Sequence, residues 1–127
     1  MQLFSEIKFN DNGLIPAIIA DAVDNRVLTL CYMNEEALRK TIETGKVYVF
    51  RRSQNRLMLK GETSGHTQTV KEIFFDCEGN SLVLKVEQKV AACHAGYMTC
   101  YFRRYNPQTD NIQIVESKVF EPEKVYK

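Results

Sequence analysis

The stretch Phe75–Arg103, FDCEGNSLVLKVEQKVAACHAGYMTCYFR, decides how the chain is read. It enters from an alternating run, turns at Glu78-Gly79-Asn80, and resumes as a strand candidate from Ser81 to Gln88 in which Leu82, Leu84 and Val86 share one face. It then passes into a polar, glycine-containing loop between Cys93 and Cys100. Three of the four cysteines, Cys77, Cys93 and Cys100, lie here with His94, Asp76 and Glu78.

A thiolate trio beside an imidazole is zinc chemistry. With three protein ligands the metal keeps a fourth position for water and lowers that water's pKa to about 7. Six residues separate Cys93 from Cys100, wider than the two to four of zinc-finger knuckles. Spacing therefore leaves two readings open, a zinc site or three unrelated core thiols; the polar flanks suit ligands better than core. His94 is either a fourth ligand or a neighbour that moves protons. Its adjacency to Cys93 makes joint coordination awkward, which favours proton transfer. Asp76, Glu78 and Asn80 offer hard oxygen donors at alternate positions, as magnesium takes beside substrate phosphate. They read equally well as an ordinary polar turn.

Upstream, Thr67–Cys77 is a strand with Val70, Glu72, Phe74 and Asp76 on one face and Lys71, Ile73, Phe75 and Cys77 on the other. Before it, Gly61-Glu62-Thr63-Ser64-Gly65-His66-Thr67 is a hydroxyl- and glycine-rich loop whose backbone amides can cradle an oxyanion or phosphate. Val47–Phe50 and Leu57–Lys60 form strands around a polar loop with three arginines, Arg51, Arg52 and Arg56, either solvated or recruited for phosphate. Asn34 and Gly45 bracket Glu35–Thr44 as N-cap and C′ residue of a helix, with Ala37, Leu38, Thr41 and Ile42 as its apolar stripe against a sheet. Ile15–Ala20 and Val27–Met33, parted by Asp24-Asn25, read as a hairpin. The second run is apolar on both faces, as in a strand buried on both sides, with Cys31 as a small core hydrophobe. Downstream, Tyr101–Arg104 and Ile112–Phe120 are the remaining strand candidates.

The pattern is α+β, mostly strands with one main helix packed on a sheet. At 127 residues the simplest expectation is one domain, residues 1–127, able to bury a core without disulfides. Seventeen basic and 16 acidic residues, a formal charge of +1, give no overall field for a nucleic acid or a membrane, so an anion must be bound locally. The N-terminus lacks a signal-peptide pattern, and no apolar run approaches the ~18 residues of a membrane span. The expectation is a cytoplasmic chain whose cysteines are core thiols or metal ligands.

Taken together, LIPAIIADA, VLTLCYMNEEAL, LKGETSG, DCEGN, VEQ, AACHAGYMTC and VFEPEKVY resemble the phosphoribosyl-AMP cyclohydrolases of histidine biosynthesis across nearly the whole chain. The resemblance implies an intertwined homodimer that hydrolyses the N1–C6 bond of the adenine ring of a small-molecule nucleotide, phosphoribosyl-AMP. It implies Zn2+ at the subunit interface, held by Cys93 and Cys100 of one chain and Cys77 of the other, and Mg2+ at Asp76, Glu78 and Asn80. His94 would then shuttle protons, while Arg51, Arg52, Lys60, Thr63, Ser64 and Gly65 would bind phosphates or ribose. The chain departs from the family pattern at DCEGN, where DCDxD is usual, at Met58 for a tryptophan, at Met98 for a basic residue, and at Arg51-Arg52-Ser53 for SRS. Two alternatives stay open: a relative acting on another purine-like ring, or a non-catalytic module in which zinc staples the dimer.

Overall fold

The structure, a computed structural model, describes residues 1–126. Its centre is a four-stranded sheet built from β1 (Ile15–Asp21), β2 (Val27–Met33), β5 (Gln68–Phe75) and β6 (Leu82–Gln88) in the order β2-β1-β6-β5. β1 runs antiparallel to β2 and parallel to β6, with Ala17 opposite Leu82 and Asp21 opposite Val86. A parallel neighbour requires a long crossover. Here it contains α2 (Glu35–Thr44), the hairpin of β3 (Tyr48–Arg51) and β4 (Arg56–Leu59), and β5. The remaining elements are α1 (Leu3–Glu6), a ribbon of β7 (Arg103–Asn106) with β8 (Asn111–Ile114), and α3 (Pro122–Val125).

The expected α+β class is observed. In α2, the Asn34 side chain accepts the Ala37 N–H at 2.8 Å, and Gly45, at φ 76°, ends the helix with its N–H on the Thr41 carbonyl. Ala37, Leu38 and Thr41 are buried against the sheet side. The Thr41 hydroxyl accepts the Tyr48 N–H at 2.9 Å, tying the helix to β3. Ile15, Ala17 and Ile19 of β1 and Leu82, Leu84 and Val86 of β6 are fully buried and form the middle of the core.

Three sequence expectations change. The first concerns the faces of β5. Val70 pairs with Val86 but Glu72 pairs with Lys85, so Lys71 is the extra residue of a bulge. Alternation resets there, and Val70 and Ile73 both pack on the core instead of being split, while Phe75, opposite Leu82, stays about half exposed. Second, β2 is an edge strand: Val27 and Leu30 remain about half exposed while Leu28 and Met33 are fully buried. Within one chain it is not covered on both sides. Third, the tail strand is short. After Ile114 the chain leaves the ribbon, with Glu116 paired to Arg26 and the Val119 N–H on the Gly96 carbonyl at 2.8 Å.

The turn between β5 and β6 is packed under the N-terminal segment. Gly79 adopts φ 70°, its carbonyl accepts the Lys8 N–H, and a Cβ there would lie 2.2 Å from the Glu6 carbonyl oxygen. Gly79→Ala is expected to lower stability by about 1–3 kcal/mol in urea denaturation, because both backbone strain and the clash must be relieved. An unchanged midpoint would contradict the close approach.

Candidate active site

One cleft of about 1320 Å³ is bounded by β2, the β3–β4 hairpin, the loop from Gly61 to His66, the loop from Ala91 to His94, and α3 with Tyr126. Each wall is set by local sequence. Gly61 allows the hydroxyl-rich loop to fold on itself, since a Cβ would stand 2.5 Å from the His66 carbonyl oxygen. Gln68, fully buried at the start of β5, donates to the Gln88 side-chain oxygen at 2.6 Å. The Gln88 amide in turn donates to the carbonyls of His66 and Ala91 at 3.2 Å each. Two glutamines thereby hold the two histidine-bearing loops together.

The loop carrying the thiols folds back on itself. The Ala92 N–H donates to the Met98 carbonyl, the Cys93 N–H to the Tyr97 carbonyl and the Gly96 N–H to the Cys93 carbonyl. Tyr97 stacks on Phe102 with ring centroids 3.9 Å apart. On the far side, the Thr99 hydroxyl and the Cys100 N–H are anchored to the Val27 and Leu28 carbonyls of β2. This sets the Cys93 and Cys100 thiols beside one another. Burial pushes the Cys100 thiol up, partly offset by the Thr29 hydroxyl, and its neighbour Cys93 adds to the rise. Cys93 Sγ also accepts the Ala95 N–H at 3.4 Å. Two soft sulfurs with donors aimed at them fit a thiophilic cation such as zinc, and a ligand held from behind by N–H and O–H donors is the usual second-shell arrangement of such sites.

The third cysteine is elsewhere. Cys77 is exposed at the N-terminal end of β6, and Cys93 follows its C-terminal end. The seven residues between those ends span roughly 20 Å. Among the described residues, no group of three or more His, Cys, Asp or Glu side chains is placed to hold a metal within one chain. Asp76 lies in the same distant turn, where its Oδ1 accepts the Asn80 and Ser81 N–H groups at 2.7 and 2.9 Å. The Ser81 amide, with that of Asn80, holds its carboxyl below the usual carboxylate range. That leaves its other oxygen, Glu78 and Asn80 on an exposed turn, a weaker set for magnesium than three carboxylates.

The remaining anticipated residues divide. Arg51, Arg52, Lys60, Thr63, Ser64 and His94 line the cleft beside Cys100, whereas Gly65 shapes the loop from outside it, donating its N–H to the Gly61 carbonyl. The Arg52 guanidinium lies 4.1 Å from the centre of the Tyr32 ring. Lys60 Nζ donates to the Ala92 carbonyl at 3.3 Å, directly behind the thiol loop. Met58 lines the cleft, but Met98 packs against the core, so only the former substitution faces a ligand. Cys31 is a desolvated cleft-wall thiol, donating to the Ala17 carbonyl, and burial pushes it up to about 12.

Sequence reasoning passed over His66, Tyr32, Glu62 and the C-terminal aromatics, all close to this cleft. His66 sat inside a loop read only for its hydroxyls and glycines. Its pKa is lowered, first by desolvation and further by Lys89 and Lys60, against the opposing effect of the nearby Ala91 carbonyl. A lowered folded value means the unfolded chain takes up the proton first as pH falls. His66 thus withdraws stability as pH drops below the ordinary 6.5. NMR titration of the two imidazoles, assigned with His66→Gln, should show His66 titrating below 6.5; a value at or above it would contradict this environment.

The sequence model of phosphoribosyl-AMP cyclohydrolase matches residues 29–102. The phosphoribosyl-AMP cyclohydrolase of Desulforapulum autotrophicum is 52% identical over 124 residues, covering 96% of this chain and 98% of its own. That of Chlorobaculum tepidum is 45% identical, covering 94% and 87%. The histidine biosynthesis bifunctional protein HisIE of Thermoanaerobacter pseudethanolicus is 46% identical over 98% of this chain, which spans only 56% of that longer protein. The chain belongs to the phosphoribosyl-AMP cyclohydrolase family.

Proposed function

We propose that the chain hydrolyses the N1–C6 bond of the adenine ring of phosphoribosyl-AMP, in histidine biosynthesis, as an intertwined homodimer. The observation that carries this reading is the meeting of Cys100, with the buried Cys93 beside it, and His94 with a basic, hydroxyl-rich wall in one cleft. Family membership supports phosphoribosyl-AMP as the substrate. The chemistry is an addition followed by a cleavage. Water adds to C6, the C6–N1 bond breaks, N1 takes a proton, and a carboxamide remains at C6.

Cys93 and Cys100, with Cys77 of a second copy, would hold zinc, which when bound supplies a Lewis acid and a source of nucleophilic water at neutral pH. The exposed imidazole of His94, on the cleft wall, would take the proton from water and return it at N1. Arg51 and Arg52 offer guanidinium forks to phosphate, Lys60 a compact charge nearer the thiols, and Thr63 and Ser64 hydroxyls to ribose or phosphate. Tyr32 braces Arg52 in place. A response of turnover to added Mg2+ would trace to Asp76, Glu78 and Asn80.

Because Met98 packs against the core, the case for another ring substrate rests on Met58 on the cleft wall and on Glu78 and Asn80 in the distant turn. Among the described residues no helix is long and apolar enough to cross a membrane.

Purified protein assayed with phosphoribosyl-AMP should show turnover that is lost on chelation and restored by zinc; no turnover by zinc-loaded protein would contradict the proposal. His94→Ala should lower turnover on the order of 100-fold with zinc content unchanged. A Cys77→Ser chain mixed with a Cys93→Ser, Cys100→Ser chain should recover activity absent from either alone, about a quarter of wild type for random pairing in a symmetric dimer. Failure of mixed chains to recover any activity would exclude a shared site.

A further inference from the structure

The chain has two histidines, both on the cleft, and each meets an aromatic ring from one C-terminal segment. Phe120 sets its ring at 87° to His66 with centroids 4.7 Å apart, and Tyr126 sets its ring at 89° to His94 at 6.5 Å. Phe120 and Tyr126 are themselves 6.4 Å apart. Four rings therefore run in series, from His66 through Phe120 and Tyr126 to His94, all at separations where edge-to-face contacts are favourable. The segment is seated from below. The Val119 N–H bonds to the Gly96 carbonyl, and Gly96, at φ 103°, leaves no room for a Cβ beside the Phe120 carbonyl oxygen, at 2.8 Å, or Pro122 Cδ. Pro122, Glu123 and Tyr126 close this side of the cleft.

We infer that Phe120 and Tyr126 are positioning residues, each holding the ring plane of its histidine, His66 or His94, at the cleft wall through an edge-to-face contact, with the two aromatic rings tilted at 51° to one another between them. His66 is held on two sides, by Gln88 on its backbone carbonyl and by Phe120 on its ring. His94, exposed and adjacent to the thiol loop, has Tyr126 as its aromatic neighbour. A proton-transferring group that swings freely spends little time in productive geometry, so the cost of losing either ring should fall on turnover more than on substrate affinity.

The kinetic consequence rests on the activity proposed above; the spectroscopic one does not. The test uses zinc-loaded full-length protein and the variants Phe120→Leu, Phe120→Ala, Tyr126→Ala and Tyr126→Phe. Carbon-bound imidazole resonances should move toward free-imidazole positions, for His66 in the Phe120 variants and for His94 in Tyr126→Ala. They should stay in place in Tyr126→Phe, which keeps the ring. With phosphoribosyl-AMP, kcat should fall on the order of 10-fold in the variants that lose a ring, with KM, zinc content and urea midpoint near wild type. Imidazole resonances and kcat unchanged in Phe120→Leu and Tyr126→Ala would overturn the inference. So would loss of kcat in every variant, Tyr126→Phe included, in parallel with a lowered urea midpoint. If the wild type proves inactive on this substrate, the resonance shifts alone still decide whether the rings are held.

Discussion

Strand β6 is the constraint on which the molecule depends. It is paired on both edges, parallel to β1 and antiparallel to β5, and its inward residues Leu82, Leu84 and Val86 are fully buried. Such a strand can neither bend nor slip, because a one-residue shift would turn every apolar side chain to the wrong face. Its length thereby becomes a ruler. The turn with Asp76, Cys77 and Glu78 sits at one end and the loop with Cys93 and His94 at the other. No local rearrangement brings the three thiols together in one chain. A site that uses all three has to be completed by another copy, and the half-exposed edge β2, the exposed Phe74 and Phe75, and the open β7–β8 ribbon are apolar surface that a second copy could cover.

The electrostatics of the cleft follow from what surrounds the thiols. Removing Cys100 from water raises its pKa, and a second sulfur beside it raises it further, so Cys100 is not comfortable as a lone anion. Lys60 contributes positive charge, and the Thr29 hydroxyl a hydrogen bond, but both are modest against burial. A bound divalent cation is what would resolve the pair, by deprotonating the thiols outright. Cys31, more fully desolvated but alone and bonded to a backbone carbonyl, remains a neutral wall residue. Neighbourhood, not residue type, separates the two fates.

What the sequence made legible was local. Asn34 and Gly45 mark α2 because capping is chemistry within one helical turn, and the β1–β2 and β3–β4 hairpins follow from turn residues between apolar runs. The Lys71 bulge was not legible, since one inserted residue leaves no compositional mark and only the pairing partner reveals it. Nor was the parallel β1–β6 contact, which joins segments some sixty residues apart. At the site, residue type pointed to Cys93, Cys100 and His94, while spacing gave no sign that Cys77 stands at the opposite end of a rigid strand. His66 and the tail aromatics were missed for a related reason. Loop and tail residues acquire their role only through what they touch after folding, and Phe120 read as the end of a strand instead of a ring against an imidazole.

The central claim is a thiol pair from one chain completed by a third thiol from another. X-ray absorption at the zinc edge of the purified protein tests it most directly. Three sulfur neighbours per zinc in the wild type, falling to two in Cys77→Ser, is the result this account predicts. A sulfur count that does not change on losing Cys77, or zinc bound without sulfur, would contradict it.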